Sequence, residues 1–256
     1  MPVEPNHAIM SGQLLAGRRA IITGGAGAIG RGTARLFAEH GARLAIFDVD
    51  DEALAASKSE LGEHHLYMNV DVRDHVGCRR AVAEVVAAFK GLDILVTMAG
   101  TVPPGGIADI AIQDYDAVMD NHMRGTFNIC QAVVPTLRAR KRGAIVCMSS
   151  IAAERGGGLR GGAHYAAAKG GILGFARALA RELAPENIRV NAVCPGPIWT
   201  GRRDRGEMEE QFGTQLPMRR VGTPAEVGGC FLFLASDLAG FVTGATLDVN
   251  GGMHIA

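Results

Sequence analysis

Several things are missing from this sequence, and each absence removes a class of function. No apolar run approaches the roughly 18 residues that a membrane-spanning helix needs, so no span is expected. The stretch from Met1 to Gly12 has no apolar h-region of a secretory signal and reads as a frayed lead-in that ends at about residue 16. Neither sign of charge is in excess, with 26 Lys and Arg against 26 Asp and Glu, so nothing in the balance favours nucleic acid or an anionic membrane. The cysteines, Cys78, Cys130, Cys147, Cys194 and Cys230, are scattered and odd in number, with no Cys-x-x-Cys pair. They read as buried free thiols of a reducing compartment, and a cytoplasmic location is the expectation. His64-His65 has no further ligand at a useful spacing, so it reads as a surface turn and no metal is expected. No internal repeat, low-complexity linker or compositional shift divides the 256 residues, so 17–256 reads as one domain.

What the chain does have is apolar residues (48%) and 35 glycines, enough for a core with many tight turns. Short apolar runs at 19–23, 43–47, 65–70, 93–97, 144–148, 189–193 and 246–249 read as strands. Most show no polar alternation, the mark of strands covered on both faces. Helix-period segments at 30–40, 51–61, 74–90, 112–140, 164–184 and 224–236 separate them. This alternation predicts an α/β fold, a doubly wound parallel sheet of about seven strands with helices on both faces. The charged stretch 200–217 interrupts the pattern and reads as a mobile insertion outside the sheet.

Thr23-Gly24-Gly25-Ala26-Gly27-Ala28-Ile29-Gly30 follows the first strand and opens a helix. Gly25, Gly27 and Gly30 fit Gly-x-Gly-x-x-Gly, in which glycine permits a tight turn and lets a pyrophosphate approach a helix N-terminus. Asp48 ends the next strand, where an acid would bond the ribose hydroxyls of a dinucleotide and repel a 2′-phosphate. With no Arg or Lys from Thr23 to Ile29, NAD is expected rather than NADP. The plainer reading of Asp48 is a turn or helix-capping acid. Further on, Tyr165 and Lys169 stand four apart, on one face of a helix. A cation beside a phenol favours the phenolate and makes a proton-transfer group. Spacing alone equally allows a half-buried Tyr beside a solvated Lys.

Taken together, the loop, Asp48, Tyr165 and Lys169 resemble the short-chain dehydrogenase/reductase family, with the likeness running from about Gly17 to Gly252. The family's Thr-Gly-x-x-x-Gly-x-Gly loop corresponds to Thr23, Gly24 and Gly30, with Ala28 replacing the middle glycine. Asp71-Val72 matches the pair that meets the adenine, and Ala99-Gly100 ends an Asn-Asn-Ala-Gly motif whose two Asn are Thr97 and Met98 here. Pro195, Gly196, Ile198 and Thr200 match the turn at the nicotinamide end. The resemblance implies a Rossmann-type fold with Gly24, Gly27, Ala28, Ile29, Gly30, Asp48, Asp71, Val72, Ala99, Gly100, Tyr165, Lys169 and the 195–200 turn around the cofactor.

It also implies four catalytic residues. Tyr165 is the general acid/base, and Lys169 lowers the phenol pKa and holds the ribose. Ser150 bonds the substrate oxygen, with Ser149 as the fallback, and Asn121 places a relay water. The expected activity is NAD(H)-dependent interconversion of a secondary alcohol and a ketone. The alternatives are an NADPH-using 3-oxoacyl-thioester reductase and a non-catalytic dinucleotide sensor. The expected partners are a small-molecule substrate and copies of the same chain, in a homotetramer or homodimer packed through the 112–140 and 164–184 helices. Arg155, Arg160, His164, Arg202, Arg203 and Arg205 border the variable pocket loops 101–110, 151–163 and 200–217. They read as solvated loop charge or as a grip on an acidic substrate.

Overall fold

A computed structural model describes residues 12–157 and 161–255. The apolar segments form seven strands: β1 (Arg19–Thr23), β2 (Arg43–Asp48), β3 (Leu66–Asn69), β4 (Ile94–Thr97), β5 (Gly143–Met148), β6 (Ile188–Pro195) and β7 (Thr246–Val249). All pair in parallel, in the order β3-β2-β1-β4-β5-β6-β7. Parallel neighbours require crossovers, and helices supply them. They are α1 (Ala28–Glu39), α2 (Asp51–Leu61), α3 (His75–Phe89), α4 (Ile112–Met119), α5 (Gly125–Arg140), α6 (Ala152–Arg155), α7 (Ala163–Leu183), α8 (Arg205–Phe212) and α9 (Pro224–Ala235).

Each face of the sheet has its own core. Phe47, Val82, Phe89, Ile129, Leu137 and Ile172 pack under α3, α5 and α7 on one face. Ile22, Phe37, Leu44, Leu54, Val227 and Phe231 pack under α1, α2 and α9 on the other. Burial on both faces explains why β1, β2, β4, β5 and β6 lack polar alternation, while the edge strands β3 and β7 are only part-buried. Thr23 stands opposite Thr97, and Thr97 opposite Cys147, so β1, β4 and β5 end level. The order in which strands are added reverses between β1 and β4, one set running outward to β3 and the other to β7, and the crevice beyond their C-terminal ends is where this architecture binds ligands.

The structure departs from expectation in four places. The 112–140 helix is not continuous, because a π-helical turn, Asp120–Arg124, separates α4 from α5. Gly125 begins α5 hard against Val72, where a Cβ would lie 2.5 Å from Cγ2, so tertiary fit sets the offset. The lead-in is anchored before residue 16: Leu15 is fully buried and its N–H donates to the His40 carbonyl at 3.0 Å. His65 is buried rather than in a surface turn, with Nδ1 accepting the Leu44 N–H at 3.2 Å. Finally, the 200–217 segment contains α8, capped by Asp204, and buries Phe212 and Leu216 beside Trp199 and Met253. Its many charges hide those few apolar anchors from the sequence pattern. Among the described residues, no helix is long and apolar enough to cross a membrane.

Candidate active site

The site begins where β1 stops. Gly24 turns with φ +64, and a Cβ there would fall 2.8 Å from the Ala99 Cα. A Cβ on Gly30 would strike the Gly24 carbonyl, so the loop folds tightly onto the start of α1. Gly27 precedes α1 without a side-chain cap, and the first turn holds no acid. Its backbone N–H groups therefore keep their capacity for an anion. This contrasts with α2, α3 and α9, whose starts are closed by Asp50, Asp74 and Thr223. Ala28, at the family's glycine position, is the first helical residue, and Ile29 follows it within the same turn. Thr23 Oγ1 accepts the N–H groups of Met98 (3.2 Å) and Ala99 (3.4 Å), bracing the β1–β4 exit where the resemblance places asparagines.

Asp48 is clasped to this loop. Oδ2 accepts the Ala26 N–H at 3.1 Å, and Oδ1 accepts the Val49 N–H at 2.9 Å. Asp71 pairs with Arg73 at 2.6 Å, and that bond holds its carboxyl below the usual range. The buried Asn128 amide on α5 donates to the carbonyls of Val72 (2.9 Å) and Arg73 (3.1 Å), fixing the 71–73 turn. Sequence reasoning missed Asn128, because an isolated Asn inside a helix carries no local signal.

The exit of β5 distinguishes the two serines. Ser149 is buried and its Oγ donates to the Lys169 carbonyl at 2.8 Å, tying α7 to the sheet. Ser150 Oγ accepts the Ala152 N–H at 3.1 Å, and its hydroxyl pulls the Tyr165 phenol pKa down against burial. Tyr165 (7% exposed) and Lys169 (2%) are both buried on α7. Lys169 Nζ lies 5.8 Å from the Tyr165 ring centroid and donates to the Met148 carbonyl at 2.8 Å.

The electrostatics correct one expectation. Burial raises the Tyr165 pKa, which Ser150 opposes and Cys194 reinforces; Lys169 is not what sets it. Burial also lowers Lys169 itself to about 8, because desolvation disfavours its charge.

A further residue, His122, was not anticipated. The π-helical turn carries it next to the half-buried Asn121, and its ring stands edge-on to Tyr165 with centroids 5.3 Å apart. Nε2 donates to the Thr101 carbonyl at 2.7 Å, and a side chain on Gly100 would collide with the imidazole. Burial, then the Lys169 charge, pushes His122 down to about 3 against the Thr101 bond, so it stays neutral.

On the far side, Pro195 ends β6. The Gly196 N–H donates to the Val249 carbonyl at 3.0 Å, and Ile198 bridges to Gly222. Trp199 Nε1 donates to the Arg203 carbonyl at 2.9 Å, and the half-buried Thr200 leads into the α8 segment. Among the bordering basic residues, Arg203 pairs with Gln211 and Arg205 with Glu209, both at 2.9 Å. Arg155 and Arg202 are exposed, His164 is buried, and Arg160 lies outside the described residues. The expected residues thus gather along the C-terminal edge of the sheet, with an anion-receptive helix start at β1 and a phenol, hydroxyl and ammonium at β5.

Residues 24–254 match the family model described as Enoyl-(Acyl carrier protein) reductase. An uncharacterized short-chain type dehydrogenase/reductase of Sinorhizobium fredii is 44% identical over 251 residues, covering 94% of this chain and 99% of that protein. The 3-oxoacyl-acyl-carrier-protein reductase of Chlamydia muridarum is 37% identical over 249 residues, 94% of this chain and 98% of that one. Among solved structures, a short-chain dehydrogenase/reductase, glucose/ribitol dehydrogenase, from Brucella melitensis superposes with a TM-score of 0.86 at 36% identity, covering 95% and 99% of the two chains.

Proposed function

The chain belongs to the short-chain dehydrogenase/reductase family, and from that membership we propose that it interconverts a secondary alcohol and a ketone with NAD(H). The observation that carries the reading is the convergence of Ser150, Tyr165 and Lys169 at the exit of β5. The loop suits a dinucleotide by its own construction, since a Cβ at Gly24 or Gly30 would fill the turn and the start of α1 has no competing acid. The α1 N-terminus with Gly24, Gly27, Ala28 and Ile29 would hold the pyrophosphate, Asp48 the adenosine ribose, and Asp71 and Val72 the adenine. Ala99, Gly100, Lys169 and the turn of Pro195, Gly196, Ile198 and Thr200 would hold the nicotinamide half. When bound, the nicotinamide supplies or accepts the hydride.

The chain's own residues manage the proton and the substrate. Tyr165 gives its proton to the ketone oxygen in reduction and takes the alcohol proton in oxidation. Burial makes an ionised phenol costly, and the Ser150 hydroxyl offsets part of that cost while bonding the same substrate oxygen. Met148 fixes the Lys169 ammonium toward the ribose, and Asn121 positions the water that exchanges the proton with solvent. His122 keeps the Tyr165 ring in place, and the 200–217 segment closes over the substrate.

The fixed Asp48 carboxylate supports NAD, because it would repel a 2′-phosphate. The test is formation or loss of reduced-nicotinamide absorbance across a panel of alcohols and ketones, with NAD and NADP in parallel. At least about a tenfold preference in kcat/KM for NAD is expected, since one misplaced charge contact costs about 1.4 kcal/mol or more. A preference for NADPH overturns the cofactor assignment. Turnover of a 3-oxoacyl thioester would favour a second reading, supported by the 37% identity to the Chlamydia reductase. No turnover of any pair, with NAD still bound, would leave the sensor reading.

Assembly as a homotetramer is part of the same proposal. Phe127 on α5 stays exposed edge-on to Phe175 on α7, and Phe233, Leu238 and Phe241 are exposed as well. Light scattering at four chain masses is the expected result, and a monomer would sink it.

A further inference from the structure

Glu154, Asp248 and His254 meet away from the tyrosine centre. Glu154 is on α6, just past Ser150; Asp248 is on β7; His254 is in the tail. One ligand atom from each lies within 4.8 Å of the other two, and Glu154 Oε2 is 3.7 Å from His254 Nε2. Glu154 Oε2 and Asp248 Oδ1 are buried, and neither has a hydrogen-bond partner among the described residues. Burial first, then the neighbouring Asp248, raises the Glu154 pKa, because two carboxylate oxygens turned toward each other repel unless a proton or a cation lies between them. Arg177 does not fill that role: its charge acts on Glu154, but its guanidinium donates to Thr246 Oγ1 at 3.4 Å.

The tail is also built to hold His254 there. After Gly251 and Gly252 turn the chain with positive φ, Asn250 Oδ1 accepts the Gly252 N–H at 2.9 Å and Asn250 Nδ2 donates to the His254 carbonyl at 3.2 Å. Ligand atoms around one ion with bonds of about 2.1 Å stand roughly 3 to 4 Å apart, so a small contraction closes the set. Two carboxylates and one imidazole suit a borderline first-row cation such as Mn2+ or Zn2+ better than Mg2+ or Ca2+.

We propose that Glu154, Asp248 and His254 bind a divalent first-row transition cation that ties the segment after Ser150 to the last strand and the tail. The ion takes no part in hydride or proton transfer; it holds α6, and with it the Ser150 backbone, against β7.

The full chain, stripped by chelator and dialysed, is titrated with Mn2+ and followed by electron paramagnetic resonance, with Zn2+ as competitor. One saturable Mn2+ site per chain, displaced by Zn2+, is expected. Glu154→Gln and Asp248→Asn should each weaken it by at least about tenfold. If either carboxamide variant fails to fold by circular dichroism, His254→Gln, at the chain end, makes the same comparison. In wild type, bound Mn2+ should selectively broaden the His254 ring protons. No saturable site in wild type means that a shared proton or the His254 imidazolium neutralises the pair, and the proposal fails. Binding unchanged in the folded variants also overturns it.

Discussion

Lys169 is held where a lysine is expensive. Its ammonium is almost fully buried against a single carbonyl, and burial brings its pKa to about 8. An unfolded chain keeps that proton until about 10.4. Between about pH 8 and 10 the unfolded state therefore binds the extra proton, and this residue makes stability rise with pH across that window. Lys169→Met should remove the rise and add about 1 to 3 kcal/mol of stability at pH 7 while lowering turnover, as urea unfolding and initial rates together would show. Tyr165→Phe should cut turnover by at least about a hundredfold with little change in the unfolding midpoint, and near-native rates would remove it as the acid/base. The Tyr165–Lys169 pair was legible because four-residue spacing on a helix is a local property. The choice between Ser149 and Ser150 was less so, since it depends on which hydroxyl acts on the Tyr165 phenol and which is taken up by the Lys169 carbonyl. His122 was not legible at all: its role comes from Gly100 and Thr101 on another strand exit, and nothing beside it in sequence announces that contact.

At the scale of elements, the N-terminal ends of helices divide by purpose. The start of α9 is closed by a capping box, in which Thr223 Oγ1 accepts the Glu226 N–H at 3.3 Å and Glu226 answers on the Thr223 N–H at 2.8 Å. Thr223→Ala should cost about 1 kcal/mol in urea unfolding. The start of α1 is open, and its geometry depends on Gly24. A side chain there needs an unfavourable φ and meets the Ala99 backbone at 2.8 Å, so Gly24→Ala should destabilise by about 1 to 3 kcal/mol and weaken dinucleotide binding, as calorimetry would detect. All seven strands and most helices were legible, the five inner strands because burial on both faces writes itself as apolar runs. The break at Asp120–Arg124 was not, since the closeness of Gly125 to Val72 is a long-range fit. Nor was the 200–217 segment with α8, whose Phe212 and Leu216 are outnumbered by charges.

The molecule as a whole should be sensitive to acid, and residues far from the chemistry carry much of that. Asp93 is buried, and burial alone would raise its pKa. The bonds from the Arg19 backbone and guanidinium (2.7 to 3.0 Å), with Arg140 at 3.2 Å, outweigh that and lower it. Its contribution is present above the normal carboxylate range and is lost as pH falls through the lowered value. Asp93→Asn should cost about 3 kcal/mol at pH 7. His65 and His122 act in the same direction. Burial first, then the His64 and Arg43 charges, pushes His65 down to about 4, and His122 sits at about 3. The unfolded chain protonates both near 6.5 while the native state resists, so stability falls as pH drops below that value. From pH 7 to pH 5 each should cost about 2 kcal/mol, and His65→Asn should lose that much less in urea titrations at the two pH values.

The clasp between Asp48 and the glycine loop has a historical consequence. The carboxylate proposed to exclude a 2′-phosphate at β2 is the one that holds the Ala26 N–H. A lineage that exchanged this acid to accept a phosphorylated dinucleotide would loosen its loop in the same step. Such a change of coenzyme should therefore be found with a second, compensating substitution near Ala26, and the single replacement should leave a protein that binds both coenzymes poorly before it binds the new one well.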